Sequence, residues 1–295
     1  MKQTDLLNDD VPSRTLHWVS SVDPTQKARL ERLQAKLVAF YTKSPSYYGD
    51  IDFTAEAWRN DPIYRDIAVR LRPCRSILEV GCGAANILRY YPDLVSRYHG
   101  CDFSPALMEK NRRRWPTAAF SRISDPARLP FDDQLFDAVF SVFVIEHTVY
   151  PMHFLNECVR VLRLGGVFLL RCPNFLAEGK LTSQRAGSSM GTGREKLRHG
   201  ALIDALLTFW DRKIRIPRRC ADVRRKIGAG WGFYVNLAPV CFVDPFAPDH
   251  DAVYLTYSRE MIGYLQDRVL FSHPATELAD RGSIYLTGKR FGVTA

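Results

Sequence analysis

Apolar residues recur along the chain with two periods, and the changes of period divide it. In residues 26–43, Leu30, Leu33, Leu37, Val38 and Tyr41 fall three or four apart, which predicts an amphipathic helix at the opening of the fold. A polar, aromatic stretch follows, and then a short helix ending near Pro73. From there short apolar runs alternate with helical patterns. The runs 76–80, 97–102, 118–123, 136–142 and 166–172 read as strands, and residues 85–95, 105–115 and 151–162 read as helices between them. That alternation predicts βαβ units and a parallel sheet covered on both faces. Ser104 followed by Pro105 marks a helix start, a capping hydroxyl before the proline favoured at the first helical position. After the fifth strand the beat stops. Residues 173–257 are rich in Gly, Arg and aromatics. The beat resumes with a helix from Ser258 to Asp267 and apolar runs near 269–272 and 283–287. The interruption predicts a long insertion at the C-terminal edge of the strands, where open α/β sheets bind ligands.

Composition narrows the class. A chain of 295 residues, 46% hydrophobic and 25% charged, can bury a full core without disulfide or metal support. Its seven cysteines, at 74, 82, 101, 158, 172, 220 and 241, are odd in number and never spaced CxxC. Reduced thiols, a cytoplasmic location and no metal site are therefore expected. The first residues lack a basic start with an apolar run behind it, and no stretch approaches the roughly 20 apolar residues of a membrane span. The net charge of +9 is concentrated: Arg194 to Lys226 holds eleven Lys and Arg against four Asp and Glu. Such a segment suits a phosphate-bearing partner, whether RNA, a nucleotide-linked substrate or anionic lipid, or else it is a solvated helix face.

The candidate chemistry lies in five ordered blocks. The first runs from Ile77 through Glu79, Gly81, Cys82 and Gly83 to Ala85, an apolar strand entering a glycine-bearing turn that opens a helix. Glycines there let backbone approach a ligand without a Cβ clash. Next is Cys101-Asp102-Phe103-Ser104, which puts a carboxylate at the tip of the second strand, where it can accept both hydroxyls of a ribose. Then come Ser124-Asp125-Pro126 leading to Leu129-Pro130-Phe131, Phe136-Asp137 leading to Ile145-Glu146-His147, and Val161-Leu162-Arg163-Leu164-Gly165-Gly166.

In this order the blocks resemble class I S-adenosylmethionine (SAM)-dependent methyltransferases of the small-molecule branch, type 11. Their pattern is ExGxGxG, DxS, D…LPF…FD…H, then RVLxxGG. The resemblance covers residues 76–172 closely and 258–290 loosely. It implies a Rossmann-like α/β fold: a mostly parallel seven-stranded sheet, helices on both faces and a helical insertion after the fifth strand. It further implies a division into an N-terminal helical lid (1–72), a SAM-binding core (73–175), a basic insertion capping the acceptor (176–257) and a C-terminal completion of the sheet (258–295). SAM is the implied cofactor. Glu79, Gly81, Cys82 and Gly83 would line its methionine end, and Asp102 would hold the ribose hydroxyls. Phe103 and Leu107 would pack on the adenine and Asp125 would accept from the adenine amino group, with Pro126 and Phe143 completing the site. Two positions depart from the pattern: Ala85 replaces the third glycine, and Pro126 has no N–H to offer adenine. A nicotinamide site would want GxGxxG, and Asn86 stands at its third glycine.

For a hydroxyl acceptor a base must take the proton, and His147 and His250 are the candidate catalytic residues. Asp249 and Asp251 flank His250, but side chains one apart on either side diverge, so no metal is expected. Tyr47, Tyr48 and Trp58 fall where relatives fold a segment over the cofactor. Residues 201–210 are strongly apolar and run into the basic 211–219. They suit peripheral membrane contact through 201–226, a pocket wall for pyrophosphate, an RNA groove, or a cap packing its apolar face on the core. The block Arg171-Cys172-Pro173-Asn174 before the insertion is similar to methyltransferases found with sugar-modifying enzymes. The favoured expectation is O-methylation of a small-molecule or glycan acceptor. The alternatives are an RNA methyltransferase, for which no NPPY-type motif is present, and a non-catalytic regulatory partner of the same fold.

Overall fold

The computed structural model describes residues 15–17, 24–43, 61–179, 191–227, 232–236, 251–272 and 282–292. The chain opens with strand β1 (Thr15–His17) and helix α1 (Pro24–Lys43). Helix α2 (Pro62–Leu71) begins at Asp61, whose side chain accepts from the Ile63 N–H, and has proline at its first position. The α/β alternation then runs β2 (Ile77–Val80), α3 (Ile87–Tyr90), β3 (Tyr98–Asp102), α4 (Pro105–Arg114), β4 (Ala119–Arg122), β5 (Phe136–Val142), α5 (Pro151–Val161) and β6 (Leu162–Pro173). The expected helix over 85–95 is only the short α3, because the chain breaks before Pro92 into a 3-10 turn, Pro92–Arg97. The fifth strand of the alternation, expected over 166–172, is longer and forms the twelve-residue β6.

Seven strands form one sheet in the order β4-β3-β2-β5-β6-β9-β8, completed by β8 (Val269–Phe271) and β9 (Ser283–Arg290). From β4 to β6 the pairings are parallel, while β9 runs antiparallel to both β6 and β8. The seven-stranded, mostly parallel sheet expected for the class I fold is therefore present. The chain winds outward from β2 through β3 to β4, then crosses back to place β5 on the other side of β2. The crevice beyond the C-terminal ends of β2 and β5 is thus a topological switch point, where helices on either side diverge and leave room for a ligand.

Alternation of side chains along the strands feeds two apolar layers. On one face Val139, Phe168, Leu170, Ile284 and Leu286 meet α5 and helix α10 (Ser258–Leu265). On the other Ala138, Phe140, Leu169 and Tyr285 meet α2, α3 and the inner side of α4.

After β6 come the short α6 (Phe175–Glu178), α7 (Gly193–Arg198) and α8 (Leu202–Trp210), a π-helical turn (Asp211–Arg215), and α9 (Ile216–Ile227). A further strand, β7 (Tyr234–Asn236), pairs antiparallel with β1 and joins the opening of the chain to the insertion. Helix α1 packs Leu30, Leu33, Leu37 and Tyr41 against Val149, Val235 and Val253. No helix among the described residues is long and apolar enough to cross a membrane.

Candidate active site

A cavity of about 560 Å³ opens at the switch point. Its floor is the turn after β2. Gly81 has φ +74°, and a Cβ there would lie 2.4 Å from Cγ2 of Val144, so only glycine fits. The N–H groups of Gly81 and Cys82 both donate to the Cys101 carbonyl, at 2.8 and 3.0 Å, pinning the turn to β3. Ala85, which replaces the third glycine of the motif, sits at φ +51° and is buried. The turn keeps its left-handed step there at a strain of about 1 kcal/mol.

Asp102, at the tip of β3, organises this floor. Its Oδ2 accepts from the Gly83 N–H and its Oδ1 from the Ser104 N–H, both at 3.0 Å. Burial raises its pKa, and the N–H groups of Ser104, Gly83 and Phe103 work against that rise. The cap of α4 is Ser104, whose hydroxyl accepts from the Leu107 N–H, so Asp102 is left facing the cavity. Asn111 donates to the Gly83 carbonyl at 2.8 Å and holds the turn from the α4 side. Glu79 is buried beside it and accepts a short hydrogen bond from the Tyr98 hydroxyl. Desolvation dominates there and pushes its pKa up to about 8.

The opposite wall carries a cation. Arg171 projects from β6 and is 5% exposed, deep enough that its charge must be compensated. Its Nη2 pairs with Asp61 at 2.6 Å, and its guanidinium lies 4.6 Å from the Tyr64 ring centre and 5.1 Å from that of Phe143. Nε and Nη1 are buried with no hydrogen-bond partner among the described residues. Phe143 follows β5 with φ +56°, a strained position for a bulky residue at the lip of the cavity.

His147 closes a 3-10 turn, Ile145–His147, on the cavity wall. Its Nδ1 lies 3.2 Å from Oδ2 of the buried Asp251, and its Nε2 lies 3.8 Å from Oε1 of Glu146. The Tyr41 hydroxyl donates a short hydrogen bond to the same Asp251 oxygen. Asp251 is held in place through the backbone that follows it. The N–H groups of Val253 and Tyr254 donate to the Glu146 carbonyl at 2.7 and 2.9 Å, docking the end of the insertion beside the His147 turn.

The cavity therefore brings together Glu79, Gly81, Cys82, Gly83, Asp102 and Phe103 with Pro126, Phe143 and His147. Leu107 is instead buried in the core layer under α4, outside the cavity wall. Asp125 turns to the Ala127 N–H at 2.8 Å in an exposed loop and is also outside the wall. His250, Tyr47, Tyr48 and Trp58 lie outside the described residues. Among the wall residues given no cofactor or catalytic role in the sequence are three that group together: Asp61, Tyr64 and Arg171. Only Arg171 leaves a local trace, a charge inside the apolar run Phe168-Leu169-Leu170 to Cys172. Among the described residues no group of three or more His, Cys, Asp or Glu could hold a metal ion. Burial raises the Cys82 and Cys101 thiols well above their ordinary values, which favours their neutral form.

Residues 78–170 match the family described as a methyltransferase domain. A probable S-adenosylmethionine-dependent methyltransferase of Mycolicibacterium smegmatis is 37% identical over 116 residues, 39% of this chain and 44% of that protein. The phthiotriol/phenolphthiotriol dimycocerosates methyltransferase of Mycobacterium tuberculosis is 38% identical over 98 residues, 32% of this chain and 36% of that protein. The human probable tRNA methyltransferase 9B is 30% identical over 150 residues, 49% of this chain and 30% of that protein. The chain spans less than half the length of each of these relatives.

Proposed function

We propose, from the match of residues 78–170 to the methyltransferase-domain family, that the chain is a class I SAM-dependent methyltransferase and transfers the methyl group of SAM to a hydroxyl of a small-molecule or glycan acceptor. The observation that carries this reading is Asp102. A buried carboxylate, held by two backbone N–H groups across a turn where no Cβ fits, faces a cavity at the switch point. Its remaining lone pairs are free to accept from ribose hydroxyls.

The other residues fit the same ligand. Glu79 lies under the glycine turn, where an ammonium or sulfonium would favour its charged form. The two unpaired nitrogens of Arg171 call for an anion, and a carboxylate on the cofactor or acceptor would satisfy them. Phe103 and Pro126 offer apolar surface to a base. Asp125 and Leu107 retain indirect parts, shaping the loop and backing the wall.

When bound, SAM supplies a methyl carbon already activated by its sulfonium, so the protein's work is alignment and removal of one proton. With the Asp251 carboxylate 3.2 Å from Nδ1 favouring the proton on that nitrogen, the Nε2 lone pair of His147 takes the acceptor's hydroxyl proton as the new O–C bond forms and the S–C bond breaks. Tyr41 holds the Asp251 carboxylate beside the ring, and its charge favours that tautomer. The reading favours a substrate small enough to enter a walled cavity over an RNA lying across the surface.

Transfer of radiolabelled methyl from SAM into a fractionated extract, with and without ribonuclease, tests this. Label in nuclease-resistant small-molecule, glycan or lipid-linked fractions supports it. Label lost to ribonuclease overturns the acceptor class, and no label with SAM bound overturns the activity.

A further inference from the structure

We propose that the α7–α8 hairpin is a docking surface for an anionic lipid bilayer. The observation stands apart from the cavity and from the methyl-transfer reading. In α8, Leu202, Ile203, Leu206, Leu207, Phe209 and Trp210 are all exposed, from 37% for Leu207 to 76% for Ile203. Only Ala205 and Thr208 are buried. A helix in the service of the core does the reverse, as the next one shows. Helix α9 packs Ile216, Cys220, Val223 and Ile227 against Leu176 and Leu255.

The outward apolar face is locked in place. Buried Lys196 of α7 pairs with Asp204 at 3.0 Å and donates to the Thr208 hydroxyl at 2.7 Å, both on α8. Rotating α8 to hide its apolar side would tear these bonds and leave a buried ammonium without a counter-charge, a cost of about 3–5 kcal/mol. Gly193 admits the Phe209 ring so closely that a Cβ would lie 2.9 Å from it, which keeps the two helices tightly apposed. Thr192 and Glu195 form a capping box that fixes the start of α7.

What covers this face is decided by its surroundings. The apolar surface holds an open depression, lined by residues such as Ile203, Leu206 and Trp210, with Lys213 beside them. Arg194, Arg198, Arg212, Lys213 and Arg218 are exposed around it. The four acids of the segment are each engaged nearby: Glu195 in the capping box, Asp204 with Lys196, Asp211 with Arg215 and Asp222 with Arg225. Trp210 sits where the apolar helix meets the basic turn, the place an indole takes at a membrane–water boundary. Apolar side chains ringed by an excess of cations over acids complement a surface that is oily within and anionic at its headgroups.

The test is co-sedimentation of the full chain with vesicles of phosphatidylcholine containing about one-third phosphatidylglycerol, against vesicles of phosphatidylcholine alone. The chain should bind the anionic vesicles at least about tenfold more tightly, and added salt should erase the difference. The double variant Leu206→Gln/Trp210→Gln should lose about tenfold or more on both vesicle types. Arg212→Gln/Lys213→Gln should lose mainly the preference for anionic lipid. Unfolding midpoints matching the parent chain certify that the variants are folded, as expected for exposed positions. The proposal is overturned if the parent chain ignores anionic vesicles, or if the variants bind them equally well. It is also overturned if light scattering shows a dimer that Leu206→Gln/Trp210→Gln breaks, because the face then belongs to a second copy of the chain.

Discussion

At the turn after β2 there is no room for one methyl group, whereas on α8 six large apolar side chains stand in water. Polarity is inverted between the two regions as well. The turn surrounds buried Glu79 and Asp102 with N–H and O–H donors, and the hairpin buries one ion pair and turns its grease outward. The contrast teaches that burial and function need not coincide. Where a ligand must be gripped by backbone, the protein spends its strain and its buried charge. An apolar face that the fold leaves exposed is the kind of surface that another phase or another molecule can cover.

The comparison can be broken at its sharpest point first. Gly81→Ala should destabilise the chain by about 3 kcal/mol in denaturant titration, since it adds both left-handed strain and a clash with Val144. Gly165→Ala, also at positive φ but with nothing within 4 Å, should cost only about 1 kcal/mol. Equal losses would mean that the packing of the turn does not matter.

Asp102→Ala should weaken SAM binding by about a hundredfold in calorimetry, the worth of two hydrogen bonds to a charged acceptor. Unchanged affinity would sink the placement of the cofactor. His147→Ala should slow turnover by about ten- to a hundredfold with SAM affinity kept, and Asp251→Asn by about tenfold with a shifted pH profile. If both variants turn over like the parent, no histidine base is used.

Glu79 supplies a pH dependence. Its pKa is raised by burial from 4.5 to about 8. Between those values the folded chain holds a proton that the unfolded chain has lost, so the stability of the free protein falls as pH rises through that window. A bound sulfonium or ammonium favours the carboxylate and expels that proton. SAM affinity should therefore climb with pH, by at most about tenfold per unit, and level off above pH 8. Calorimetry in buffers of different ionisation enthalpy should detect the released proton, and Glu79→Gln should flatten the profile.

The smallest effect belongs to the hairpin. Leu206→Gln should leave stability within about 0.5 kcal/mol of the parent, whereas Ile216→Ala, one helix on, should cost roughly 2–3 kcal/mol. A large loss at Leu206 would mean that α8 is covered by the chain itself.

Much of this was legible in the residues alone, and where legibility stopped is instructive. Short apolar runs marked the strands of the sheet, and Ser104-Pro105 marked the start of α4, because both are read from neighbours in the chain. The blocks around Gly81 and Asp102 were legible for the same reason: a φ that excludes a side chain, and a carboxylate two residues from the N–H it accepts, are local facts. Helix α3 came out shorter than its pattern because Pro92 overrode periodicity. Residues 201–210 were plainly apolar, yet periodicity reports that a face is apolar and says nothing of what covers it. The Lys196–Asp204–Thr208 bonds, which hold α8 with that face outward, appear only in the tertiary structure. The pairing of β1 with β7, the grip of Asp61 and Tyr64 on Arg171, and the meeting of Tyr41 with Asp251 across 210 positions were likewise decided by tertiary structure. Each depends on the angle at which distant elements pack, and no local pattern encodes that angle.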